Sequence, residues 1–157
     1  MHYFGFELVP YQKGFGSGHY ADWDKFGWVH FSKHPNTFNS NNWVARDLAS
    51  AKDATWRFIV FHHPGFNSAR EHYEQQQMRL LTPIFEKGKV DVVFNGHVHN
   101  YQRTFPLTFV PDKKGTLIVG GKDNKTPRGR VVNGRWKLDK TFDGKTDTTP
   151  EGIVYVI

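Results

Sequence analysis

Two apolar runs constrain this chain more than anything else in it. Residues 55–61, "TWRFIVF", and 90–95, "VDVVFN", are short, continuous and rich in β-branched and aromatic side chains. A strand with one solvated face would alternate polar and apolar residues, so continuous runs of this length read as strands buried on both faces. Around them the expected elements alternate. Asn41 to Lys52 predicts a short helix with Trp43, Val44, Leu48 and Ala51 on its apolar face. Ser68-Ala69-Arg70-Glu71 fits a capping box, so a second helix is expected from about Ala69, kinked or restarted at Pro83 and ended by Gly88.

Further strands are expected at 26–31 ("FGWVHF"), 116–121 ("TLIVGG"), on either side of the Asn133-Gly134 turn, and at 152–157 ("GIVYVI"). The first twenty residues, rich in glycine and aromatics, read as irregular loop. The order strand, helix, strand, helix, strand, strands predicts an α/β layered sandwich with a mixed β-sheet flanked by helices on one face. The length of 157 residues predicts a single domain over 1–157.

Composition narrows the class. Hydrophobic residues make up 38% and aromatics 16%, enough for a packed core and too many for a disordered chain. No apolar run approaches the roughly 18 residues of a membrane span, and the N-terminus lacks a basic start followed by an apolar segment, so neither membrane anchor nor signal peptide is expected. With no cysteine, disulfides and thiolate metal sites are excluded. The net charge of +6 favours anionic partners in general. Nucleic acid is disfavoured, because the aromatics sit in buried-looking strands instead of alternating with exposed Lys and Arg.

The nine histidines are the sharper signal. His62-His63 follows one buried run directly, and His97 and His99 follow the other, in "NGHVHNYQRT". In α/β sheets ligands gather at the carboxyl ends of the strands. Residues two apart in an extended segment point the same way, so His97 and His99 are expected to address one spot after the tight turn that Gly96 permits. If the two strands are neighbours, His62 joins them, and three imidazoles suit Zn, Fe, Mn or Ni far better than Mg or Ca. His63, ahead of Pro64, reads as a satisfied or solvent-facing side chain, and so do His2, His19, His30 and His34.

"FIVFHHPGF" followed by "VDVVFNGHVHNYQRT" resembles the C-terminal half of the calcineurin-like metallophosphoesterases, and among them the purple acid phosphatases. "YADWDKFGWVHF", "NNWVARDLASA" and "EGIVYVI" are similar to further segments of that family, most clearly over residues 20–110. The resemblance implies a metal-dependent phosphoesterase: metal-bound hydroxide attacks a phosphate ester between two adjacent ions, drawn from Fe, Zn and Mn. By position it implies His62 and His97 on one ion and His99 on the other, with His72 contacting the phosphate and protonating the leaving group. His72 reads equally well as a surface residue near a helix start. Tyr101 and Arg103 are expected to brace the histidine loop.

The family's Gly-Asp and Gly-Asn motifs, which supply its remaining ligands, have no counterpart here: none of the fifteen glycines precedes Asp or Asn. Without a bridging carboxylate the expected histidines hold one ion instead of two, and a non-catalytic metal-binding or interaction domain is the alternative to a phosphatase. Asp22 and Asp24 match the family's strand, not its ligands. The resemblance covers the C-terminal half of the fold alone, so one face of the sheet carrying "FIVF" and "VVFN" would be bare. A homo-oligomer or partner chain is therefore expected to cover it, beside a phosphorylated small-molecule substrate.

Overall fold

The computed structural model describes residues 5–6, 43–113, 115–120, 122 and 124–157. The strand expected at 26–31, and His2, His19, Asp22, Asp24, His30 and His34, lie outside these. Strand β1 (Gly5–Phe6) opens the described chain, followed by helix α1 (Trp43–Ser50) and strand β2 (Phe58–Phe61). A 3-10 turn (Gln77–Leu81) runs into helix α2 (Thr82–Lys87), and strand β3 (Val92–Phe94) follows. Strands β4 (Leu107–Pro111), β5 (Thr116–Gly120), β6 (Thr126–Val131), β7 (Gly134–Leu138) and β8 (Val154–Val156) complete it.

Both apolar runs are strands, and they are neighbours: Phe58 pairs with Val92, Ile59 with Val93 and Val60 with Phe94, in parallel. The central sheet has the order β1-β2-β3-β8, parallel throughout. Antiparallel pairing also occurs, but in separate two-stranded sheets, β4 with β7 and β5 with β6. The α/β class holds.

One face of the central sheet, formed by Ile59, Phe61, Val93 and Tyr155, is fully buried. It packs in one apolar cluster with Val44 and Leu48 of α1, Met78, Leu80 and Leu81 of the 3-10 turn, and Ile84 and Phe85 of α2. Burying each of these large side chains contributes roughly 1.5–3 kcal/mol. The opposite face carries Phe58, Val60, Val92 and Phe94, with Val60 and Phe94 exposed to 46% and 40%. The expectation of strands buried on both faces is met on one face only, and Phe58 and Phe94 stack across the other with centroids 6.1 Å apart.

Three local expectations need correction. No helix starts at Ala69: the Ser68 hydroxyl and backbone N–H both donate to Gln102, and His72 takes a left-handed φ of +62°, which breaks any helix. Helical structure begins at Gln77, and α2 places Pro83 in its first turn, where a missing N–H costs nothing. The strands flanking Asn133-Gly134 do not pair with each other. β7 pairs with β4, and a Cβ on Gly134 would lie 2.5 Å from the Phe109 ring, so this glycine serves close packing, not a hairpin turn. Finally, Gly5–Phe6 lies within the expected irregular loop, yet it forms a parallel edge strand against Val60 and Phe61.

Candidate functional site

β2 and β3 run in parallel, so their carboxyl ends deliver His62 and the 95–99 turn to the same rim of the sheet. The rim is stitched by backbone and amide bonds. Asn95 donates its Nδ2 to the Phe61 carbonyl (2.9 Å) and its backbone N–H to Val156, and Gly96 N–H donates to the His62 carbonyl (2.9 Å). A Cβ on Gly96 would sit 3.2 Å from His62 Nδ1, so glycine lets the imidazole lie flat against the turn.

The strained residue is His97, with φ +67°. A non-glycine residue in this region costs on the order of 1 kcal/mol and persists where its surroundings enforce it. The left-handed turn removes the extended geometry expected for residues 97–99. Val98 N–H donates to Gly96 and Asn100 N–H to Val98, so the chain bends at each step. His99 consequently lies exposed, and among the described residues no ring contact joins it to His97.

Four imidazoles do converge. His97 Nδ1 and His62 Nε2 are 3.2 Å apart. The His97 ring centroid lies 5.0 Å from His62, 4.2 Å from His63 and 4.1 Å from His72. The pKa of His97 is pushed down to about 4, first by burial and then by His72, His62 and His99, so its ring is neutral at neutral pH. His72 Nδ1 is 3.1 Å from the Gln75 amide nitrogen, which can only donate, so the proton of the neutral ring sits on Nε2. Of the expected residues, His62, His97 and His72 are brought together and His99 stands at the margin. His63, read from the sequence as a bystander, packs within the cluster, and Gln75 steadies His72. The repeated histidine in "HHPG" signals the first, while nothing in the sequence signals the second. Tyr101 is 77% exposed and Arg103 is exposed too. The bracing is by backbone, where Arg103 bridges Val156 and Gln102 exchanges bonds with Ile157, and by the Gln102 side chain, which accepts from Ser68.

Imidazole is the right donor chemistry for a transition ion, and the buried Nε2 of His97 has no hydrogen-bond partner, as a ligating nitrogen would require. The donor count falls short. Among the described residues no three His, Asp or Glu side chains are arranged to hold a metal ion, and His62 Nε2 points at His97 Nδ1, not past it.

The family model for calcineurin-like phosphoesterases matches residues 4–101, well over half of the chain. The chain belongs to the calcineurin-like phosphoesterase family. Its relatives include purple acid phosphatase 18 of Arabidopsis thaliana, 31% identical over 55% of this chain and 18% of that protein. A purple acid phosphatase of Glycine max is 39% identical over 58% of this chain and 23% of its own length. A phosphoenolpyruvate phosphatase of Allium cepa is 34% identical over 55% and 21%. The match thus spans about a fifth of the length of these relatives.

Proposed function

We propose that this chain is a metal-dependent phosphoesterase of the purple acid phosphatase type, a single domain with the layered arrangement of its family, acting on a phosphorylated small molecule. The observation that carries the reading is the His97 imidazole: neutral, strained, buried at Nε2 without a partner, and set against His62 at the carboxyl ends of two parallel strands in a member of this family. His62 and His97 would be ligands, with His99 on the exposed side for a second ion. The ions proposed are Fe, Zn or Mn, which when bound lower the pKa of water and neutralise phosphoryl charge.

The chain's own residues supply binding and proton handling. His72, held by Gln75 with its proton on Nε2, is the group to contact the phosphoryl oxygens and donate to the leaving oxygen. The low pKa of His97 keeps one lone pair unprotonated at neutral pH, the state a ligand needs.

A second reading rests on a specific observation, the lack of a three-donor group among the described residues: a metal-binding or interaction domain without turnover. Hydrolysis of para-nitrophenyl phosphate by the full chain, with each of Fe, Zn and Mn added, separates the two. The phosphoesterase reading predicts ion-dependent turnover that falls about 10²–10⁴-fold in His72→Ala. Metal uptake without turnover under any ion would overturn it in favour of the second reading.

A further inference from the structure

At the opposite end of the central sheet from the histidines, α1, α2 and the entries to β2 and β3 border an open hollow of about 320 Å³. Its wall is aliphatic, with Leu48 and Ala49 from α1 and Ile84 from α2. Gly88 lets the helices close on it: a Cβ there would lie 2.9 Å from Leu48 Cβ. Five cationic side chains also line it, Arg46, Lys52, Arg57, Lys87 and Lys89, and no carboxylate does.

The placement of some of these is explained locally. Lys87 ends α2 and Lys52 follows the end of α1, where the helix dipole favours a cation. Their convergence with Arg46, Arg57 and Lys89 around one apolar hollow is not. Among the described residues none of the five forms an ion pair, the one ion pair found being Lys137 with Glu151. Asp91 accepts the backbone N–H of Arg57 and not its guanidinium. Arg57 Nη2 is spent on the Ala51 and Lys52 carbonyls, while its buried Nε has no partner. Arg46, Lys52, Lys87 and Lys89 are exposed and give the rim a positive field, while the half-buried Arg57 has an unpartnered buried Nε, a place for an acceptor.

We propose that this hollow binds a small anionic amphiphile, an aliphatic body lying along the groove where α1 meets α2 with its anionic head among the five cations. The volume lies at the lower end of the roughly 300–1,000 Å³ typical of ligand sites, which fits a short chain and not a whole lipid. The site is separate from the histidine cluster. Arg57 precedes β2 and Lys89 precedes β3, whereas His62 and His97 follow them, so the four residues of β2, about 13 Å, and the three of β3 stand between.

The test is calorimetric titration of the full chain with octanesulfonate, which cannot be hydrolysed, alongside octanol and inorganic sulfate as probes of body and head alone. Octanesulfonate is expected to bind at one site, more tightly than either control. Affinity should fall about fivefold for each charge reversed in Arg46→Glu and Lys89→Glu. It should also be lost in Ala49→Phe, which fills the hollow from an exposed helix position, with circular dichroism showing all three variants folded. Binding should persist in His62→Ala/His97→Ala, so failure of the phosphoesterase reading leaves this result intact. No binding, binding unchanged by the charge reversals and Ala49→Phe, equal binding of sulfate alone, or loss in the histidine variant would each overturn the proposal.

Discussion

Arg79 offers the most direct test of how the histidine loop is held. Its buried guanidinium donates from Nε to the Gly65 carbonyl (2.7 Å) and from Nη1 to the Val132 carbonyl (3.0 Å). It also lies over the rings of Trp136, Phe66 and Phe109, at 4.8, 5.1 and 5.6 Å from their centroids. Burial pushes its pKa down to about 10, a cost of about 3 kcal/mol to the cation at neutral pH. Arg79→Met relieves that cost and keeps most of the apolar contact. It also strands two buried carbonyls that had charged donors, at about 1.5–3 kcal/mol each, and removes about 1 kcal/mol of cation–π attraction. The balance leaves the Met variant about 2 kcal/mol less stable, a drop of about 4–8 °C in Tm. Arg79→Lys, which keeps the charge and reaches one carbonyl, should lose about half as much. Urea unfolding followed by circular dichroism measures both. A Met variant within about 0.5 kcal/mol of wild type, or more stable, would refute the view that Arg79 ties the "HHPG" loop to β6–β7.

Other outcomes follow from the same contacts. Phe85→Ala, truncating a side chain 1% exposed in the core, should cost about 3–5 kcal/mol in the same unfolding assay. Gly134→Ala places a methyl 2.5 Å from the Phe109 ring and should cost about 1–3 kcal/mol by overpacking the β4–β7 pair. Asp139 accepts from Glu151 N–H, Thr141 and Phe142 N–H, and these bonds lower its pKa from 3.8 to about 2. A depressed carboxylate stabilises the fold above its unfolded pKa, so the stability difference between wild type and Asp139→Asn should be full above about pH 4 and vanish as pH falls through about 2. Gln75→Leu should lower kcat for para-nitrophenyl phosphate with little change in KM, because it frees the His72 ring without removing it.

What was legible in the sequence divides along physical lines. β2, β3 and β8 announce themselves because their apolar residues run unbroken, although only one face of each is buried, and α1 because Val44 and Leu48 recur at helical spacing. β1 is two residues long and exists only through pairing with Val60 and Phe61, which no local pattern encodes. The helix expected from Ala69 fails because Ser68 finds its partner in Gln102, 34 residues away, and not in Glu71. At the site, strand order alone brought His62 to His97. The entry of His63 and His72 depends on the left-handed backbone at positions 72 and 97, and histidine at such angles carries no sequence signature.

The central claim, that His62 and His97 form the start of a metal site, is tested most directly by elemental mass spectrometry of the untagged chain after loading and dialysis. At least one Fe, Zn or Mn per chain, lost in a folded His62→Ala/His97→Ala variant, is the predicted result. No bound metal, or the same metal content in that variant, would contradict it.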